Sequence, residues 1–190
     1  TFNKPEAIAK LPGRNAVGHV RYSTTGASTP ENIQPLFAEL AEGGFACAHN
    51  GNLVNASSIR KELIKNGAIF QSTSDTEIIL QLVARSREKK IKEKLIDALL
   101  QIRGAYSLVI LTNKKLIGVK DPYGIRPLVL GELNGSPVLA SETCAFDIIG
   151  AKHIRDIENG EIVIITKTGV ESVKPFAKVK ERPCIFERIY

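Results

Sequence analysis

The sequence predicts an α+β protein in which antiparallel sheets are covered by helices. Three observations carry this expectation. Helical spacing of apolar residues is confined to the middle of the chain, between about 55 and 102. Short β-rich runs lie on both sides of it, and Asn134-Gly135 and Thr168-Gly169 mark hairpins among the later ones. The 190 residues, 43% of them hydrophobic, suffice for one sizeable core or two small ones. Consecutive hairpins around a helical block argue a layered α+β domain rather than a wound parallel sheet.

In order, Glu6 to Leu11 reads as a short helix stopped by Pro12-Gly13. Residues 16–23 are β-rich and alternate, which predicts a strand. A polar loop rich in Thr, Ser, Gly and Pro follows to Pro35, long enough to suggest function. Residues 36–40 and 45–49 read as strands on either side of Gly43-Gly44, and the second is expected to break into a turn at Asn50-Gly51. Asn55 is positioned to cap a helix to Lys65, with Ile59, Leu63 and Ile64 inward and Asn66-Gly67 as its stop. Ser74-Asp75-Thr76-Glu77 has the form of a capping box, Ser74 at N-cap and Glu77 at N3, opening a helix to Arg85. A third helix is predicted over 91–102, with Leu95, Ile96, Leu99 and Ile102 inward and Gly104 as its stop. Strands are then predicted at 105–111, 116–120, 128–131, 137–140, 161–165 and 169–173, with a short helix over 143–149.

Composition excludes several classes. No run of about 18 apolar residues exists. The first residues are polar and broken by Pro5, unlike a secretory signal. Three cysteines, Cys47, Cys144 and Cys184, are too few and too scattered for a disulfide framework or a zinc site, and they suit a reducing cytoplasm. Much of the net charge of +6 falls between Arg85 and Lys94, with Glu interspersed and no aromatic residue between. That pattern describes a solvated helix junction, not a nucleic-acid surface.

A few residues could carry chemistry. An Asn amide beside a Gly N–H, as at Asn50-Gly51, could stabilise an oxyanion, although Asn-Gly is also ordinary turn chemistry. Arg21, at a strand end, could hold a carboxylate bidentately, or be a surface arginine. Asp75, in the first turn of a helix, could take an ammonium, or merely face the helix dipole. Together they complement a free amino acid with an acyl side chain. Cys47 and His49 share one strand face, but a small buried hydrophobe is the plainer reading of Cys47.

Five motifs occur in order: Gly18-His19-Val20-Arg21-Tyr22-Ser23-Thr24-Thr25-Gly26, Ala48-His49-Asn50-Gly51-Asn52-Leu53, Ser74-Asp75-Thr76-Glu77, Asp121-Pro122-Tyr123-Gly124-Ile125-Arg126-Pro127-Leu128 and Ala140-Ser141-Glu142-Thr143. Over nearly the whole chain this set resembles the class II glutamine amidotransferases, which are N-terminal-nucleophile hydrolases. The wording His-Val-Arg-Tyr-Ser-Thr and Asn32-Ile33-Gln34-Pro35 resembles the purine-synthesis branch, which passes ammonia to phosphoribosyl pyrophosphate. The hexosamine branch would more typically read Thr-Arg-Trp-Ala-Thr-His. The resemblance implies a four-layer αββα sandwich of antiparallel sheets. It implies Arg21 on the glutamine α-carboxylate, Asp75 on the α-ammonium, Asn50 and Gly51 as oxyanion hole, and Tyr22 and Thr24 shaping the pocket. The stretch from Asp121 to Leu128 reads as a structural turn with a buried arginine.

One departure matters. The family's nucleophile is a mature N-terminal cysteine followed by glycine and an apolar strand, with its own α-amine as base. Thr1-Phe2-Asn3-Lys4-Pro5 matches neither feature. The expectation is a glutaminase domain over 1–190 that lacks its first strands, its nucleophile and the phosphoribosyltransferase domain, and is silent by itself. The resemblance implies a homo-oligomeric parent that uses magnesium with phosphoribosyl pyrophosphate. Some members carry an iron–sulfur cluster, for which Cys184 is a possible ligand, though one thiolate cannot hold a cluster. Two alternatives stay open: an amidotransferase with another ammonia acceptor, and a non-catalytic glutamine-binding or regulatory module.

Overall fold

The computed structural model describes residues 5–10, 13–20 and 29–185. It contains α1 (Pro5–Ala9), β1 (Leu36–Leu40), β2 (Gly43–Leu53), α2 (Ala56–Lys65), α3 (Thr76–Arg85) and α4 (Ile91–Gln101). These are followed by β3 (Gly104–Thr112), β4 (Leu116–Lys120), β5 (Val129–Leu133), β6 (Ser136–Ala140), α5 (Cys144–Ile149), β7 (Lys152–Asp156), β8 (Ile162–Thr166) and β9 (Gly169–Val173).

Among the described residues, six strands form one sheet in the order β1-β2-β3-β4-β8-β9, and three form a second in the order β6-β5-β7. Every pairing is antiparallel. Alternation along the strands separates two cores. Phe45, Cys47, Tyr106, Leu108, Ile110, Ile117, Val119, Ile162 and Ile164 face α2, α3 and α4, where they meet Leu63, Ile78, Ile79, Val83, Leu95 and Leu99. The intervening residues Val109, Leu116, Val163 and Ile165 face the second sheet and pack with Leu128, Leu130 and Leu139. The sheets are close enough that a Cβ on Gly118 would press into Leu139 and Leu128. Phe146 of α5 lies against Gly131 of β5. The layers therefore run helices, six-stranded sheet, three-stranded sheet, helix, which is the expected αββα sandwich. No helix among the described residues is long and apolar enough to cross a membrane.

Several expectations are corrected. Residues 15–20 form no strand, and Val20 is 98% exposed; the rest of the predicted 16–23 strand lies outside the described residues. The chain does not turn at Asn50-Gly51. β2 continues to Leu53, paired with the whole of β3, and Asn50 lies opposite Ser107. Gly51 keeps its φ of +144° inside the ladder, and Gly104 of β3 takes +145°. A Cβ at Gly51 would strike the Ala105 carbonyl, and one at Gly104 the Asn52 carbonyl. Both glycines serve close backbone approach in a distorted stretch of sheet.

The capping box does not form. Asp75, not Ser74, is the N-cap of α3, and Glu77 reaches back to the Gln71 and Ser72 N–H groups at 2.8 and 2.7 Å. Asn55 stands at the N-cap of α2, yet its side chain joins the end of α4 to β3, accepting from the Arg103 N–H and donating to the Gln101 carbonyl. Ile64 is exposed rather than inward, whereas Gly67 closes α2 in a left-handed conformation as expected. β7 was not foreseen. Its side chains are mostly exposed, so it carries no hydrophobic alternation to read.

Candidate functional site

The end of β2, the loop into α3 and the segment after β6 meet at an open cleft of about 850 Å³. Asn50, Gly51, Ser74 and Asp75 line it, with Gly18, His19 and Val20 on one rim and Ser141, Glu142 and Cys144 on another. Strand alternation turns Asn50 away from the helices and His49 toward them.

Asp75 is 7% exposed, at the junction of β2 and α3. Its Oδ2 accepts the Leu53 N–H at 2.9 Å, and its Oδ1 lies 3.6 Å from His49 Nδ1. Burial pushes the carboxyl's pKa up, but the His49 ring and the Leu53 N–H outweigh burial and hold it below its ordinary value. The carboxylate is therefore anionic at neutral pH in a recess that favours a small cation. His49 is 3% exposed, its Nδ1 lies 3.2 Å from Thr76 Oγ1, and its N–H donates to Gln34 Oε1 at 2.6 Å.

The loop before α3 is fixed on three sides. Arg60 stacks 4.0 Å over Phe70 and donates to the Ser72 and Ser74 carbonyls at 3.0 and 2.8 Å. Glu77 holds the Ser72 hydroxyl at 2.6 Å. Asn32, fully buried, accepts the Thr73 N–H at 3.0 Å and donates to Thr73 Oγ1 at 2.8 Å. Asn32 and Gln34 thus pin the end of the long polar loop to the Asp75 segment and to β2.

The cleft brings together Asn50, Gly51 and Asp75. Arg21, Tyr22, Thr24 and Thr1 lie outside the described residues. Cys47 is fully buried on the helix side, and burial pushes its thiol up to about 12, so it is inert as a nucleophile. Cys184 is half-buried and does not line the cleft. Among the described residues, no three His, Cys, Asp or Glu side chains gather as a metal site would require.

Sequence reasoning missed Gln34 and Ser74 as parts of the site, and considered His49 only as a partner for Cys47. It also treated Arg126 as purely structural. Asp121 does organise that turn, accepting the Tyr123, Ile125 and Arg126 N–H groups, but Arg126 lines the cleft as well. The signal for all three was their place in quoted motifs, but the contacts of His49 and Gln34, 15 and 27 residues apart in sequence, were not legible there.

The family model described as glutamine amidotransferase domain matches residues 19–147. An amidophosphoribosyltransferase of Rhizobium etli is 52% identical across 100% of this chain, which covers 39% of that protein. A chloroplastic amidophosphoribosyltransferase of Arabidopsis thaliana is 47% identical across 100% of this chain, covering 33% of it. The solved glutamine phosphoribosylpyrophosphate amidotransferase of Bacillus subtilis, complexed with ADP and GMP, superposes with a TM-score of 0.85 and 41% identity, over 90% of this chain and 37% of that one. The chain spans little more than a third of the length of these relatives. It belongs to the glutamine amidotransferase domain family.

Proposed function

We propose that the cleft binds L-glutamine, and that the whole protein hydrolyses its side-chain amide and passes the ammonia to phosphoribosyl pyrophosphate. The product would be 5-phosphoribosylamine, in the first step of purine nucleotide synthesis. The observation that carries this reading is the anionic Asp75 in one cleft with Asn50 and Gly51. Asp75 takes the α-ammonium, and the family resemblance assigns Arg21 to the α-carboxylate and Tyr22 and Thr24 to the pocket. A thiol nucleophile of the whole protein adds to the amide carbon. Asn50 and Gly51 stabilise the oxyanion that forms, ammonia leaves, and water releases glutamate from the thioester. The relatives' names and their extra length support a phosphoribosyltransferase domain as partner. Magnesium belongs with the pyrophosphate acceptor there, since that ion is commonly held through substrate phosphates.

Ammonia release from glutamine by the full-length protein tests the assignment. Asn50→Ala should lower kcat about 10²–10³-fold, the usual cost of one oxyanion donor. Asp75→Asn should raise the glutamine KM, while synthesis from free ammonia stays unchanged in both variants. Equal losses with glutamine and with ammonia would contradict the assignment.

A further inference from the structure

Among the described residues, His49 is the one buried titratable group at the cleft without a role in that scheme. It sits under Asp75, on the helix-facing side of β2, and its surroundings determine where its proton lies. Nδ1 faces Asp75 Oδ1, which can only accept, and Thr76 Oγ1. Nε2 is buried and has no hydrogen-bond partner among the described residues. A proton on Nε2 would be a buried unpaired donor, whereas a proton on Nδ1 has two acceptors within reach. Placing the proton on Nδ1 pairs it and leaves at Nε2 only an unpaired acceptor.

We propose that His49 is a positioning residue for Asp75: its Nδ1, held at 3.2 Å from Thr76 Oγ1 and facing Asp75 Oδ1 at 3.6 Å, orients the carboxylate and so sets the preference of the cleft for ligands with an α-ammonium. The geometry supports this at each contact. Leu53 N–H bonds Oδ2 from the strand, and the His49 ring of the same strand faces Oδ1 at 3.6 Å, so the two oxygens stand in different fixed surroundings. Each oxygen has further lone pairs, which remain available for an ammonium in the cleft. The backbone beneath the ring is held in turn, because the main-chain N–H of His49 donates to Gln34 Oε1. Thr76 opens α3 and Asp75 is its N-cap, so the imidazole joins β2 to the start of that helix. The inference rests on the glutamine reading for the identity of the ligand, but not for the state of Asp75.

Two measurements on the full chain separate these. The first is calorimetric titration with L-glutamine and with 4-carbamoylbutanoate, which lacks only the α-ammonium. The wild type should prefer L-glutamine. His49→Leu should weaken L-glutamine at least tenfold and leave 4-carbamoylbutanoate unchanged, and His49→Asn, whose amide N–H can replace Nδ1–H, should restore the preference. Equal weakening of both ligands, or of neither, would overturn the role of His49. The second is carbon NMR titration of the Asp75 carboxyl without ligand, identified by its loss in Asp75→Asn. His49→Leu should move its midpoint up and His49→Asn should not. A midpoint indifferent to His49→Leu would overturn the proposal even if glutamine bound normally. A wild type that binds neither ligand would refute the glutamine reading, and the carboxyl titration would still decide whether His49 governs Asp75.

Discussion

Gly51 shows how one missing Cβ supports the site. Its φ of +144° is a conformation L side chains avoid, and the Ala105 carbonyl occupies the space a Cβ would take. Gly51→Ala combines backbone strain with overpacking, each costing about 1 kcal/mol or more, so a loss of about 2–4 kcal/mol is expected. Urea unfolding measures it, and Asn50→Ala, in the same strand with ordinary backbone, should cost far less. Equal losses for the two would contradict the account. The Asn-Gly dipeptide also marks where sequence reading reached its limit. At Asn134-Gly135 the same pair makes the predicted hairpin, with φ of +51° and +76°. At Asn50-Gly51 it does not turn, because β3 supplies partners beyond Asn50 as far as Leu53. The dipeptide alone cannot distinguish the cases; the length of the opposing strand does. Asp75 was legible as an acidic residue opening a helix, but His49 was not, since its partner Thr76 lies 27 residues further along.

At the scale of elements, the helices and most strands were legible, because each carries its own spacing of apolar residues. Side-chain caps were not. Glu77 bonds the loop five and six residues before it rather than the N-cap, and Asn55 bonds across the fold to Gln101 and Arg103, a choice that tertiary contacts decide. Glu161 makes the strongest link of this kind. It precedes β8, yet it pairs with Arg155 of β7 at 2.6 and 2.9 Å and with the Ser172 hydroxyl of β9 at 2.6 Å, joining the two sheets. Burial raises its pKa, but the Arg155 and Ser172 hydrogen bonds and the Glu158 N–H outweigh burial and bring it to about 2. Because the folded value lies below the ordinary 4.5, the stabilisation is complete above that pH and is lost progressively between about 4.5 and 2. Glu161→Gln should therefore be less stable than wild type at pH 7, by about 1.5–3 kcal/mol for loss of charged hydrogen bonds. The gap should close as pH falls toward 2. Denaturation at several pH values checks this, and a gap that stayed constant with pH would contradict it.

For the whole molecule, the αββα layering followed from helices placed between hairpins and from the ordered motifs, and the two cores agree with it. What sequence could not show is how the layers make the cleft. Its walls come from β2, the start of α3, Arg126 and the segment after β6, which converge only once both sheets are stacked. The central claim is that this convergence forms an L-glutamine site. The most direct test is titration of the isotopically labelled chain with L-glutamine, following backbone amide shifts by NMR. The account predicts saturable shifts centred on Asn50, Gly51 and Asp75, abolished in Asp75→Asn. Shifts elsewhere, or shifts that survive in Asp75→Asn, would contradict it.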